Sequence, residues 1–370
     1  MNALEIMDRR TATMNVAPFS RGPQHIGARI TAAQGKSFVV DTESNYSLDD
    51  SATPWLSAAL PVAMKVNVPI EFDGTIDEVA AENSNGAQNI LAEWYPRHYH
   101  RTTFGSRNAS STTGRAPGVG CFFSGGVDSF YSAITQHDRI THLIFVHGYD
   151  IRPDDETLGT RALEGARAAA SELGKPLIEV RTTLRSAFSD AYRVPWGHVY
   201  HGAALAHVAT ALSPHLGTVI VPSSYPLHEL RPWGSHPDLD PTWSTSAVTI
   251  EHGELDAGRF DKIARIVDSP TAMNHLRVCW ENRDGRYNCE RCFKCFRTRL
   301  GIMLAGGECA TLSSPIDPTM VRRMYIEPAR RRRFREALVE LDERGFDEPE
   351  LEKAMRSAIR RSYLLQYFPR

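Results

Sequence analysis

The sequence has no hydrophobic run long enough to span a bilayer, and its start has no apolar signal region. No membrane partner is expected, and the compartment indicated is cytoplasmic. Neither charge is in excess. Lys and Arg number 42, Asp and Glu 44, and the net charge is −2. That balance removes any global pull toward nucleic acid or anionic lipid. Cysteine is scarce, with six in 370 residues, which excludes a disulfide-stapled scaffold. What is present is ordinary for a globular protein, 42% hydrophobic and 23% charged. The length allows a large core and a second domain.

The few cysteines are not scattered. Cys121 and Cys309 stand apart and read as core thiols, whereas Cys279, Cys289, Cys292 and Cys295 follow C-x9-C-x2-C-x2-C. Four thiolates complete a tetrahedral Zn²⁺ site, and Cys-x2-Cys spacing turns backbone N–H groups toward the sulfurs. Arg291 and Lys294 would offset the negative charge of such a centre. An iron–sulfur cluster, a persulfide carrier and a set of buried thiols are the competing readings.

The chain is organised around Val119-Gly-Cys-Phe-Phe-Ser-Gly-Gly-Val-Asp-Ser-Phe-Tyr131. It reads as an apolar strand, a glycine turn and a helix start. Gly125 and Gly126 let the backbone turn and aim its N–H groups at one spot. The helix adds unpaired N–H groups and a partial positive charge. Together they form a phosphate cradle, to which Ser124 and Ser129 add hydroxyls. Asp128 would repel phosphate, so its role there is to hold Mg²⁺. Gly35-Lys36-Ser37 imitates the end of a Walker A loop, but Ile30 stands where that motif needs glycine, so Gly35 reads as a turn between strands.

Beyond the turn, strands at 141–146, 176–180 and 218–221 alternate with helices at about 154–173 and 201–212, a pattern of parallel sheet. Ligands bind beyond the carboxyl ends of such strands. This selects the loops 147–150, 181–183 and 222–225. Asp150 could meet a ribose hydroxyl or an adenine amino group, or be a solvated turn residue. Residues 229–245 form a long irregular segment with Trp233, Asp238, Asp240 and Trp243, the composition of a substrate lid or a structural loop.

Elsewhere the signals are weaker. Residues 1–104 read as a small α+β domain, with strands at 37–41 and 62–72 and short helices at 76–81 and 87–94. Residues 105–118, rich in Ser, Thr, Asn and Gly, read as a linker. The α/β domain proper covers 119–315, and 316–370 is a helical extension. Its Arg330–Arg335 stretch is closely followed by Glu336, Glu340, Asp342 and Glu343, so a helical hairpin packed on the domain is favoured over an RNA-binding element.

The contiguous Ser124-Gly-Gly-Val-Asp-Ser129 resembles the SGGVDS signature of the N-type ATP pyrophosphatases, the PP-loop family. With the cysteine cluster, residues 119–304 are similar to the 7-cyano-7-deazaguanine synthases. The resemblance implies an adenine nucleotide α-hydrolase-like, doubly wound sheet. It implies that Ser124, Gly125, Gly126, Val127, Asp128 and Ser129 bind ATP with Mg²⁺, with Asp128 and Ser129 catalytic, and that the four cysteines hold a structural Zn²⁺. It further implies that the aspartates of His236-Pro-Asp-Leu-Asp-Pro241 lie near the substrate. The expected activity is a C–N ligase that adenylates an oxygen of a small, heterocyclic acceptor and releases pyrophosphate. A homodimer is compatible with this and nucleic acid is disfavoured. ATP-dependent sulfur insertion into a nucleotide or tRNA, and a nucleotide-binding module without turnover, remain open alternatives.

Overall fold

Segments such as His142–His147 and Leu216–Val221 place apolar side chains on both faces and become largely buried strands. The computed structural model describes residues 13–32, 35–111 and 114–365. Its strands are β1 (Met14–Gly22), β2 (His25–Thr31), β3 (Ser37–Ser44), β4 (Ile70–Asp77), β5 (Phe104–Ser110), β6 (Gly118–Phe122), β7 (His142–His147), β8 (Leu177–Thr182), β9 (Leu216–Val221) and β10 (Thr249–His252). They form one ten-stranded, mostly parallel sheet in the order β10-β9-β6-β7-β8-β3-β2-β1-β4-β5.

β6 to β10 pair parallel throughout. The chain adds β7 and β8 on one side of β6, then β9 and β10 on the other. This reversal is a topological switch point, where an open parallel sheet leaves a crevice beyond its strand ends. The strands expected in a separate N-terminal domain instead extend this sheet. β3 joins β8 antiparallel, and β2, β1, β4 and β5 follow. Gly35, at φ +80°, turns the chain between β2 and β3.

The described residues divide into two compact units. The first takes those up to Ser124, with Ser132–Asp155 and Gly174–Asp256; the second takes Gly125–Tyr131, Glu156–Leu173 and those from Ala257 onward. All ten strands lie in the first.

Within the first unit, the expected strand over 62–72 is corrected. Its beginning is the end of a helix, Thr53–Val66, buried without interruption from Thr53 to Met64. A helix buried on all sides has no polar face, so its sequence carries no 3.6-residue period to set against strand alternation. Asn67, left-handed at φ +56°, ends the helix, and β4 starts at Ile70. The two short helices expected after it are one, Glu78–Trp94, capped by Asp77, which accepts from the Ala80 N–H at 2.9 Å. The expected linker begins as an edge strand. β5 pairs parallel with β4, and its mostly exposed polar side chains give it the composition of a loop.

One buried polar group in this unit gives a pH prediction. His207 is fully buried, with Nδ1 donating to the Pro54 carbonyl and Nε2 accepting from the Thr42 hydroxyl, both at 2.9 Å. Burial pushes its pKa down from 6.5 to about 4. The neutral ring is therefore favoured in the fold. Its contribution, roughly 3 kcal/mol, is complete above 6.5 and lost as pH falls toward 4. Denaturant midpoints should fall across that window in the native chain, and His207→Gln should flatten the slope. Parallel slopes in the two proteins would contradict this.

In the second unit, the helices Phe293–Leu304, Arg331–Glu343 and Pro349–Leu365 share a core with Phe260. Phe334 stacks between Phe293 and Phe296, at 5.1 and 5.4 Å between ring centres. The tail is thus a packed hairpin, its first helix ended by Gly345 at φ +67°. Several of its arginines have partners within the hairpin. Arg331 is buried, donates to Ser362 and lies over Tyr363, Arg332 pairs with Glu336, and Arg335 donates to Tyr363. Among the described residues, no helix is long and apolar enough to cross a membrane.

Candidate functional site

The glycine turn follows the end of β6. Gly125 takes φ +72°, a left-handed conformation that favours glycine. An added Cβ would find space there, its closest neighbour being Arg277 Cβ at 3.7 Å, so backbone conformation rather than crowding selects the glycine. The helix Val127–Thr135 begins at once, with Asp128 in its first turn. Ser129 Oγ donates to the Gly126 carbonyl at 3.0 Å and steadies that turn. The N–H of Arg277 donates to the Gly125 carbonyl at 2.8 Å. Val127 is buried, whereas Ser124 is exposed and is the last residue before the second unit begins.

Asp128 sits among cations of the second unit. Arg259 Nη2 lies 3.3 Å from Oδ2, and Lys262 Nζ lies 3.7 Å from Oδ1. Both come from the helix Arg259–Ile266, three residues apart and so on one face. Lys262 is buried and also lies 5.3 Å from the Tyr131 ring centre. Burial opposes charge on Asp128. Arg259, Lys262, Lys294 and Arg297 outweigh it and hold the carboxyl below its usual range. Asp128 Oδ1 is buried and accepts no hydrogen bond.

The four cysteines also converge in the second unit. Cys279, Cys289, Cys292 and Cys295 are buried, with their sulfurs within 4.8 Å of one another. Tetrahedral zinc thiolates stand about 3.8 Å apart, and Cys289 Sγ lies 4.0 Å from Cys295 Sγ. Glu290, at φ +55°, makes the tight turn after Cys289. The N–H of Cys292 then faces Cys289 Sγ at 3.3 Å, and that of Cys295 faces Cys292 Sγ at 3.4 Å. Cys292 is also the N-cap of Phe293–Leu304, where the helix dipole favours thiolate. Hydrogen bonds from Cys289, Cys292 and Cys295 hold Cys279 far below the usual thiol range. Cys295, a donor to Cys279, Cys289 and Cys292, is pushed far above it. All four sulfurs can ionise together only around a cation, and the donor set is compatible with zinc.

The remaining expected site residues lie in the first unit. Asp150 is exposed in the turn after β7. Trp233 is half-buried among His198, Tyr225 and Arg231, and its ring lies where a Cβ on Gly197 would collide at 2.7 Å. Asp238 is exposed beside His236, whose Nδ1 accepts its N–H at 3.1 Å. Asp240 points inward, accepting from Ser235 Oγ at 2.8 Å and the His236 N–H at 3.3 Å, with His252 Nδ1 at 2.7 Å. Trp243 is 5% exposed in the apolar core, beside a small cavity lined by Thr53, Ser57 and Thr210.

The two aspartates should therefore separate by experiment. Asp240→Asn removes the charge from a buried pair and should cost roughly 3 kcal/mol or more of stability. Asp238→Asn, at an exposed site, should stay within about 0.5 kcal/mol. Thermal denaturation checks this; equal losses would contradict the placement.

Sequence reading missed Arg259, Lys262 and Arg297. The available signal was spacing, since Arg259 with Lys262 and Lys294 with Arg297 each stand three apart on a helix. No family model matches the chain, and no curated protein or solved structure matches it either.

Proposed function

We propose that the chain is an ATP pyrophosphatase-type ligase, as its resemblance to the PP-loop family implies. The observation carrying this reading is a glycine turn at the start of a helix whose carboxylate lies 3.3 Å from Arg259 and 3.7 Å from Lys262. Lys294 and Arg297 add their charge; Arg297 is also paired with Glu336 at 3.8 Å, so these four cations stand against two carboxylates and leave an excess of positive charge suited to a polyphosphate. In this reading Ser124, Gly125, Gly126 and Ser129 hold the phosphates, Val127 anchors the turn in the core, and Asp150 meets the ribose or adenine. Asp128 Oδ1, which accepts no hydrogen bond, suits Mg²⁺. A bound magnesium would supply positive charge against that of the phosphates and of the leaving pyrophosphate.

An acceptor carboxylate or amide oxygen attacks the α-phosphorus. The bond from that phosphorus to the oxygen bridging the β-phosphate breaks, and pyrophosphate leaves with both electrons. A nitrogen nucleophile then attacks the activated carbon and displaces AMP. The chain's part is to position the reactants and stabilise charge. Cys279, Cys289, Cys292 and Cys295 would hold a structural Zn²⁺, which when bound ties their segments together. For a planar acceptor, Trp233 supplies ring surface and Asp238 a hydrogen-bond acceptor. The buried Trp243 and the internally paired Asp240 would shape the loop behind them.

The test is pyrophosphate release from Mg²⁺–ATP against a panel of carboxylates that includes a deazaguanine carboxylate. Release should require one acceptor of the panel. Asp238→Asn should raise the acceptor concentration needed and leave ATP binding intact. Failure of every acceptor, with ATP still bound, would favour the module without turnover.

A further inference from the structure

Two segments that carry cysteines of the four-sulfur cluster also reach the glycine turn within the second unit. The first runs from Leu276 to Cys279. Arg277 donates its N–H to the Gly125 carbonyl at 2.8 Å, two residues before Cys279. Buried Asn288, next to Cys289, fixes that segment. Its Oδ1 accepts from the N–H groups of Val278 and Cys279 at 2.9 and 3.1 Å, and its amide donates to the Leu276 carbonyl at 2.9 Å. The second segment is the first turn of Phe293–Leu304. Cys292 caps it, Cys295 lies within it, and Lys294 and Arg297 project from one face of it. The Arg297 guanidinium lies over the Phe260 ring at 5.4 Å, and Phe260 is the neighbour of Arg259, which lies 3.3 Å from the Asp128 carboxylate. The charges of Lys294 and Arg297 add to those of Arg259 and Lys262 in keeping that carboxyl ionised.

A metal bound by all four sulfurs would clamp both segments at once. It would fix the segment that holds Gly125 and the helical turn that carries Lys294 and Arg297. Without it, the sulfurs are held only by weak S–H and N–H contacts, such as the 4.0 Å approach of Cys289 and Cys295. We infer that Lys294 and Arg297 bind polyphosphate and that the four-cysteine centre holds them in place, so that metal loading and polyphosphate binding are linked. This rests on the polyphosphate reading of the glycine turn. Linkage is reciprocal: the factor by which metal tightens polyphosphate is the factor by which polyphosphate tightens metal.

The test uses the full chain, zinc and inorganic pyrophosphate with Mg²⁺. Calorimetry measures pyrophosphate affinity of the zinc-loaded protein and of protein stripped by a chelator, with circular dichroism to establish that the stripped form is folded. A chromogenic chelator then measures zinc retention with and without pyrophosphate, which needs no stripped protein. Zinc loading should tighten pyrophosphate by about tenfold or more, and pyrophosphate should raise zinc affinity by the same factor. Arg297→Met should keep zinc affinity in the absence of pyrophosphate, weaken pyrophosphate by about tenfold, and reduce the protection of zinc. Pyrophosphate that binds without altering zinc retention would overturn the linkage and leave the polyphosphate reading standing. If neither pyrophosphate nor ATP binds the loaded chain, both fall together.

Discussion

Asp128→Asn should lose most pyrophosphate release while the chain remains folded. The native carboxylate faces Arg259 and Lys262, feels the charges of Lys294 and Arg297, and has one buried oxygen that accepts no hydrogen bond. Asparagine keeps the shape but, being neutral, holds a divalent cation more weakly and does not balance the cations around it. A metal stabilises a phosphoryl transition state by several kcal/mol. At about 1.4 kcal/mol per decade, the loss should be roughly a hundred- to a thousandfold. Stability should also respond, since the substitution leaves cations facing one another. The carboxyl is held below its usual value of 3.8, so its stabilising charge is complete above that pH and is lost only as pH falls through the lowered value. At neutral pH the group is therefore fully charged, and activity there should not follow its titration. Unchanged turnover in the variant would remove Asp128 from the site.

Removing the metal, or one of its thiolates, should have the largest effect on stability. Elemental analysis should give about one zinc per chain and little iron. Cys295→Ser should lose that metal and lower the thermal midpoint sharply, because binding energy at such sites, about 10 kcal/mol or more in small zinc domains, is also folding energy. The loss should concentrate in the second unit, where Cys292 starts the helix that carries Phe293, Phe296 and Leu300 into the shared core. Cys309→Ser is the contrasting variant. Cys309 lies outside the cluster, with its sulfur 3.3 Å from the Thr311 hydroxyl, and should keep the metal. A brown protein rich in iron would move the reading to sulfur transfer.

The parts of the site carried by local spacing were legible. Cys-x2-Cys-x2-Cys placed its sulfurs together because each step spans one tight turn. The glycine turn appeared where a buried strand meets a helix. Buried strands such as Leu216–Val221 were marked by their β-branched composition. What depended on distant pairing was not legible. The helix Thr53–Val66 carries no amphipathic period, because the first unit's core covers it on all sides. β5 is a strand through its backbone pairing with β4, which its side chains do not encode. Asp240 and Trp243 were offered to a ligand by composition, but Asp240 faces Ser235 and His252 and Trp243 faces the core. Arg259 and Lys262 lie more than a hundred residues from Asp128 in sequence, and only the fold brings them to it.

The most direct measurement of adenylation is exchange of labelled pyrophosphate into ATP. In the presence of Mg²⁺ and an acceptor carboxylate, with no nitrogen donor, label should enter ATP. The exchange should disappear in Asp128→Asn and produce no ADP. Formation of ADP and inorganic phosphate, or tight ATP binding with no exchange for any acceptor, would contradict attack at the α-phosphorus.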